Sequence, residues 1–136
     1  MPNSWKSHIL LNLVLVAKAD GEIKPIDVLY LSRCKNKIDA SHRTLADAIM
    51  RSYWESVVPV GEIVGNEQCL KDMINMAMID GDISCSVKQE ITKYIDVAKI
   101  PKTRVEHLMR EAMNRFNNEV KDIEVENAVR IGKITK

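Results

Sequence analysis

Ala17-Lys18-Ala19-Asp20-Gly21-Glu22-Ile23 closes a long apolar run near the start of the chain, and Ala77-Met78-Ile79-Asp80-Gly81-Asp82-Ile83 closes another beyond its middle. The two strings lie 60 residues apart and place Ala, Asp, Gly and Ile identically. Carried back at that offset, Leu10 falls on Leu70, Leu13 on Met73, Val14 on Ile74 and Val16 on Met76. Carried forward, Leu31 meets Ile91, Ser32 meets Thr92 and Arg33 meets Lys93. A two-residue slip then brings Lys37-Ile38 onto Lys99-Ile100 and Ser41 onto Thr103. Such self-similarity is the signature of a duplicated supersecondary unit.

The duplication settles how the N-terminal run is read. Lys6 precedes the apolar stretch Ile9 to Ala17, and Ala17-Lys18-Ala19 has the small-x-small form of a signal-peptide cleavage site. The stretch is shorter than the about 20 apolar residues a helix needs to cross a bilayer. A cleavable signal has no reason to recur in mid-chain, so this run is expected to stay as a core helix.

Each half reads as helix, tight loop, helix, turn, helix. The first helix is expected over Ser7 to Ala19 and its copy over Glu67 to Ile79, both apolar around most of their circumference and so buried centrally. Gly21 and Gly81 stand where a positive backbone φ ends a helix without a Cβ penalty. Pro25 opens the next helix, and Ser84 or Ser86 caps its copy, the latter in a box with Gln89. Val28 and Leu31, then Ile91, Tyr94 and Ile95, are the expected inward faces. Third helices open near Ser41 and Thr103, the latter with a capping box to Glu106, and continue through Leu45, Ile49, Leu108 and Ala112. The predicted architecture is all-α: one domain, a bundle of about six to seven helices from two pseudo-symmetric three-helix repeats. Repeat 1 covers 7–55, a Pro- and Gly-marked connector 56–66, repeat 2 67–116, and a tail 117–136 reads as a short helix or arm.

Composition agrees. The 136 residues suit a single core, and 46% hydrophobic with 29% charged residues describes an ordinary globular chain. A net charge of +1 argues against a dedicated nucleic-acid binder. Five Gly, four Pro and six aromatics leave little material for a β-sandwich or barrel. Cys34, Cys69 and Cys85 are odd in number and lack C-x-x-C spacing, so they read as free thiols of a reducing compartment, neither disulfide nor zinc ligands.

The paired Asp-Gly strings resemble the middle of a calcium-binding EF-hand loop. That loop needs ligands at its first, third and twelfth positions, here Val16, Lys18 and Asp27, and in the second copy Met76, Met78 and Val87. Hydrocarbon where carboxylates belong excludes an EF-hand. Two readings stay open for the remaining acidic groups, Asp20, Glu22 and Asp27 in one half and Asp80 and Asp82 in the other. They cap helix N-termini and serve the fold, or they form a shared acidic face for a divalent cation or a partner.

Other chemistry is thin. His8, His42 and His107 are scattered, and neither a Cys/His nor a Ser/His/Asp grouping emerges from spacing. Met73, Met76, Met78, Met109 and Met113 read as core filler. Tyr53 and Trp54 either cover the core or mark a contact patch.

Two copies of an apolar helix ending in Ala-x-x-Asp-Gly-x-Ile, each followed by an amphipathic helix pair, resemble the tellurite-resistance TerB-like domain over residues 7 to 116. The resemblance implies a pseudo-two-fold helical bundle without catalysis, found in small bacterial cytoplasmic proteins and in stress-response modules, with a cation-binding acidic surface. An acidic residue seven positions after the loop Asp belongs to that pattern; Asp27 matches it and Val87 departs from it. The expected function is therefore a non-enzymatic, cytoplasmic protein-interaction module. It would have no nucleic-acid partner and no membrane insertion, with homo-oligomerisation and a divalent cation at Asp20, Glu22, Asp27, Asp80 and Asp82 as further expectations. The alternatives are an enzyme using loop carboxylates and a purely structural or oligomerising bundle.

Overall fold

The computed structural model describes residues 4–19, 21–61, 63–79, 83–111 and 113–114. Of the positions singled out above, Asp20, Asp80, Gly81, Asp82, Ala112 and the tail 117–136 lie outside the described residues. Five helices follow in order: α1 (Ser4–Lys18), α2 (Pro25–Lys37), α3 (His42–Arg51), α4 (Ile63–Ile79) and α5 (Cys85–Ala98). A sixth, α6, covers residues 102–111, and no strand occurs among the described residues. The chain is an all-α bundle, as its periodicity predicts. α4 opens at Ile63, four residues before the expected Glu67, so the last part of the predicted connector is helical.

α1 and α4 are the central pair. They lie against each other; α1 also meets α2, α3 and α5, and α4 meets α2 and α5. Burial recurs along them at the sequence offset. Residues 9, 10, 12, 13, 14, 16 and 17 are buried in α1, and 69, 70, 72, 73, 74, 76 and 77 are buried in α4. Leu10, Leu13, Val14, Leu70, Met73, Ile74 and Met76 are fully enclosed, each contributing about 1.5–3 kcal/mol of hydrophobic stabilisation. Ala48 of α3 packs on Leu10 and Leu11 as a satellite of the main core, its small side chain letting α3 close onto α1.

The backbone keeps the 60-residue register beyond the loops. α2 and α5 open at 25 and 85, and α3 and α6 open at 42 and 102. Asp39 and Lys99 both take left-handed φ, +55° and +56°. The Ala40 N–H donates to the Lys35 carbonyl at 2.9 Å, and the Ile100 N–H to the Ile95 carbonyl at 3.2 Å, the six-to-one bond of a Schellman turn at each place. The two-residue slip is thus corrected: Asp39 corresponds to Lys99 and Ser41 to Pro101. The Lys-Ile identity that suggests a slip is outweighed by the helix-ending turn, which accepts a non-glycine residue both times. Gly21 has the expected positive φ, +117°, and its N–H donates to the Lys18 carbonyl at 2.8 Å.

Three further expectations are corrected. Val28 is not inward but 49% exposed, because the buried stripe of α2 runs through Asp27, Leu31, Cys34 and Lys35. Met109 and Met113 are exposed while Leu108 takes the core position, so they are not core filler, unlike Met73 and Met76. Thr103 lies inside α6, which begins one residue earlier, and the Val105 N–H is taken by the Pro101 carbonyl at 3.0 Å rather than leaving Thr103 at the cap. In α5 Ser84, not Ser86, is the cap: its Oγ accepts the Val87 N–H at 3.2 Å.

Two buried asparagines fasten the connector to the central helices. Asn12, fully buried in α1, donates Nδ2 to the Val58 carbonyl at 2.8 Å and accepts the Val58 N–H on Oδ1 at 2.9 Å. Asn66 of α4 accepts the Val60 N–H at 2.6 Å and the Gly61 N–H at 3.3 Å, while its carbonyl receives the buried Tyr94 hydroxyl at 2.9 Å. The valines of the connector therefore make no sheet; side-chain amides replace the ladder that an extended strand requires.

Candidate interaction surface

The C-terminal end of α3 is held from both sides by α1. Ser41 starts the helix by accepting the Thr44 N–H at 3.1 Å, and the Ala48 contact sets how α3 crosses α1. At the far end Arg51 donates Nη1 to Ser7 Oγ at 2.7 Å and forks onto Glu55, Nε to Oε2 at 2.6 Å and Nη2 to Oε1 at 2.8 Å. Ser52 Oγ donates to the Ile49 carbonyl at 2.6 Å and receives Lys18 Nζ at 3.0 Å. The same Lys18 ammonium sits 3.7 Å from the centroid of the Tyr53 ring.

With the backbone pinned by these contacts, the turn after α3 turns its large side chains outward. Tyr53 is 71% exposed, Trp54 69% and Met50 56%. Of the two readings left open by sequence, core cover or contact patch, the exposure excludes the first. The ridge is apolar at its crest and charged at its rim, where Lys18, Arg51 and Glu55 stand. Trp, Tyr, Met and Arg are the residues enriched in protein interfaces, and aromatic side chains carry much of their energy. The Arg51 hydrogen bonds hold the Glu55 carboxyl below its usual range. Nearby His8 is pushed down, first by burial and then by the Arg51 charge, with Glu55 opposing; its Nδ1 is enclosed without a hydrogen-bond partner. His8 therefore stays neutral near pH 7.

The acidic positions behave differently from one another. Glu22 is exposed in the loop before α2. Asp27 is 1% exposed, and its Oδ2 accepts the Lys24 N–H at 2.9 Å, the reach-back half of a capping box. That is the fold-serving reading for Asp27. Among the described residues no group of three or more His, Cys, Asp or Glu side chains is placed to hold a metal ion.

A buried carboxylate escapes sequence reasoning. Asp72 stands 60 residues after Asn12, and both polar groups are enclosed between the helices. Asp72 receives Gln68 Nε2 at 3.3 Å, has Lys37 Nζ at 3.8 Å, and offers its main-chain carbonyl to the Tyr30 hydroxyl at 3.4 Å. The available signal is a polar residue at the same place in each apolar run. Burial, reinforced by Asp72, pushes the Cys34 thiol up to about 12, and burial does the same to Cys69. Both stay protonated and weakly nucleophilic at neutral pH. Cys85 is the exposed thiol.

Among the described residues no helix is long and apolar enough to cross a membrane. Comparison with family models, with curated proteins and with solved structures gives no match.

Proposed function

We propose that the chain is a non-enzymatic helical module that binds a partner protein through the ridge of Met50, Tyr53 and Trp54. One observation carries this reading: two aromatic rings about 70% exposed on a turn whose backbone is pinned by Lys18 and Arg51. A fixed aromatic crest with a charged rim loses little conformational entropy on binding, which favours affinity. The resemblance of the twin Asp-Gly strings to the TerB-like domain supports the same class of function and, with it, a cytoplasmic stress-response setting. A divalent cation is the second part of the proposal. Glu22, with Asp20, Asp80 and Asp82, supplies its acidic surface, while Asp27 is occupied by the Lys24 amide.

The test uses full-length protein as bait in its native cell, wild type against Tyr53→Ala/Trp54→Ala. Loss of a hot-spot aromatic costs about 2 kcal/mol or more, so a partner retained by wild type should be depleted at least about thirtyfold by the variant. Equal recovery by both baits rules out the ridge. For the cation, calorimetric titration with Ca²⁺, Mg²⁺, Mn²⁺ and Zn²⁺ decides, and silence with all four removes that part.

A further inference from the structure

His8 is the unsatisfied member of the clamp behind the ridge. Arg51 commits Nη1 to Ser7 Oγ and both Nε and Nη2 to Glu55, so that each carboxylate oxygen is engaged. His8 follows Ser7 on α1, half-buried, with Nδ1 enclosed and without a hydrogen-bond partner among the described residues. Two charges face the ring, from α3 and the turn after it: Arg51, which disfavours a proton there, and Glu55, which favours one. Asp47, the acid within α3, bears on Arg51. His42 and His107 are exposed, the first at the opposite end of α3 and the second against Glu111 of α6. The second half shows that folding does not require a titratable group at the place of His8. Sixty residues on stands Gln68, likewise half-buried, in α4 and neutral at every pH.

We propose that His8 is an acid-triggered release for the ridge: a proton on its ring competes with Arg51 for Glu55, loosens the turn that carries Tyr53 and Trp54, and so weakens partner binding. A neutral imidazole is compatible with the clamp. A charged one is a second cation beside the Arg51 guanidinium, its Nδ1–H has no acceptor, and the carboxylate that faces it is already held by Arg51. Glu55 then divides between two cations, and the fork that ties the turn to α1 through Arg51 slackens. Burial and then the Arg51 charge hold the ring neutral while the turn is closed, whereas in a released turn water solvates the charged ring and restores its ordinary value of 6.5. The released turn therefore binds the proton more tightly. The closed turn is favoured above pH 6.5 and loses ground as pH falls below it. The effect on a partner rests on the ridge reading; the loosening of the turn does not.

Hydrogen exchange of the full chain, followed by NMR and corrected for the pH dependence of the intrinsic rates, tests the proposal. The reporters are the Trp54 and Glu55 amides, which donate to the Arg51 carbonyl at 3.1 and 2.8 Å. Between about pH 7.5 and about pH 5 their protection should fall about threefold or more, tracking the titration of the His8 imidazole signals. The Ile100 amide, in the turn before α6, should hold level. In His8→Gln, the side chain that Gln68 already supplies in the second half, protection at Trp54 and Glu55 should stay flat across the same range. Crosslinking from a photoreactive residue at position 54, in extract of the native cell, should fall on acidification with His8 present and not in His8→Gln. The two readings fail differently. No crosslinked protein at either pH, with the amide titration intact, removes the partner and keeps the switch in the turn. Amides whose protection stays level while His8 titrates overturn the switch, as does crosslinking indifferent to pH or acid loosening that persists in His8→Gln.

Discussion

Asp27 and Val87 are each the third residue of a helix and both are buried, one a carboxylate and the other a hydrocarbon. The difference follows from how each helix start satisfies its free N–H groups. In α2 the Asp27 carboxylate reaches back to the Lys24 N–H, and in α5 the Ser84 hydroxyl reaches forward to the Val87 N–H. Each half uses one arm of the capping box. Because Ser84 does the capping in the second half, the position occupied by Asp27 in the first is released to a core residue.

The caps should therefore be interchangeable in kind and separable in energy. Asp27→Ala and Ser84→Ala are each expected to cost about 1 kcal/mol, and more for Asp27 because its removal also leaves a void. The double variant should lose about the sum, since Asp27 caps α2 and Ser84 caps α5. Urea unfolding followed by circular dichroism measures all three; an Asp27→Ala protein as stable as wild type contradicts the assignment.

Asn12 is expected to matter more than its type suggests. Replacing it by Leu leaves the Val58 N–H and carbonyl without the two bonds they now make, at about 1–3 kcal/mol for each group that stays buried. Hydrogen exchange at the Val58 amide reports the same event locally and should accelerate in the variant well beyond the change in global stability.

Alkaline pH should destabilise the fold through its buried acids. Cys34 and Cys69 lie well above the ordinary thiol value of 9.0, raised by burial to about 12, and burial raises the Tyr30 and Tyr94 phenols too. The folded chain keeps these protons longer than the unfolded chain does. Their contribution is thus present below pH 9.0 and is lost as pH climbs towards about 12. The urea midpoint should fall above pH 9.0, and Cys34→Ala/Cys69→Ala should flatten the fall. At neutral pH a thiol reagent should label Cys85 at once and the other two only on unfolding. A midpoint that stays level into strongly alkaline buffer contradicts the linkage.

The central pair of helices is legible in the sequence because hydrocarbon burial leaves a periodic trace, and the 60-residue echo appears in both the sequence and the burial of α1 and α4. Turns are less legible. Asp39 and Lys99 carry left-handed φ without glycine to mark them, so identity pulls the alignment two residues aside. The direction of α2 is hidden for an electrostatic reason: Asp27 has the look of a solvent-facing charge, but the helix start needs it inside, and that turns Val28 outward. Surface function leaves the least trace. The sequence shows Tyr53-Trp54 as two aromatics after a helix, but only the Lys18 and Arg51 contacts show that the turn is fixed with its rings outside.

The most direct test of the interaction surface places a photoreactive residue at position 54, and separately at 114, the exposed Asn114 that occupies the matching place in the second half. After irradiation in the native cell, position 54 should yield a discrete crosslinked protein and position 114 none. Equal crosslinking from both positions, or none from 54 while the protein remains folded, would contradict recognition through Trp54.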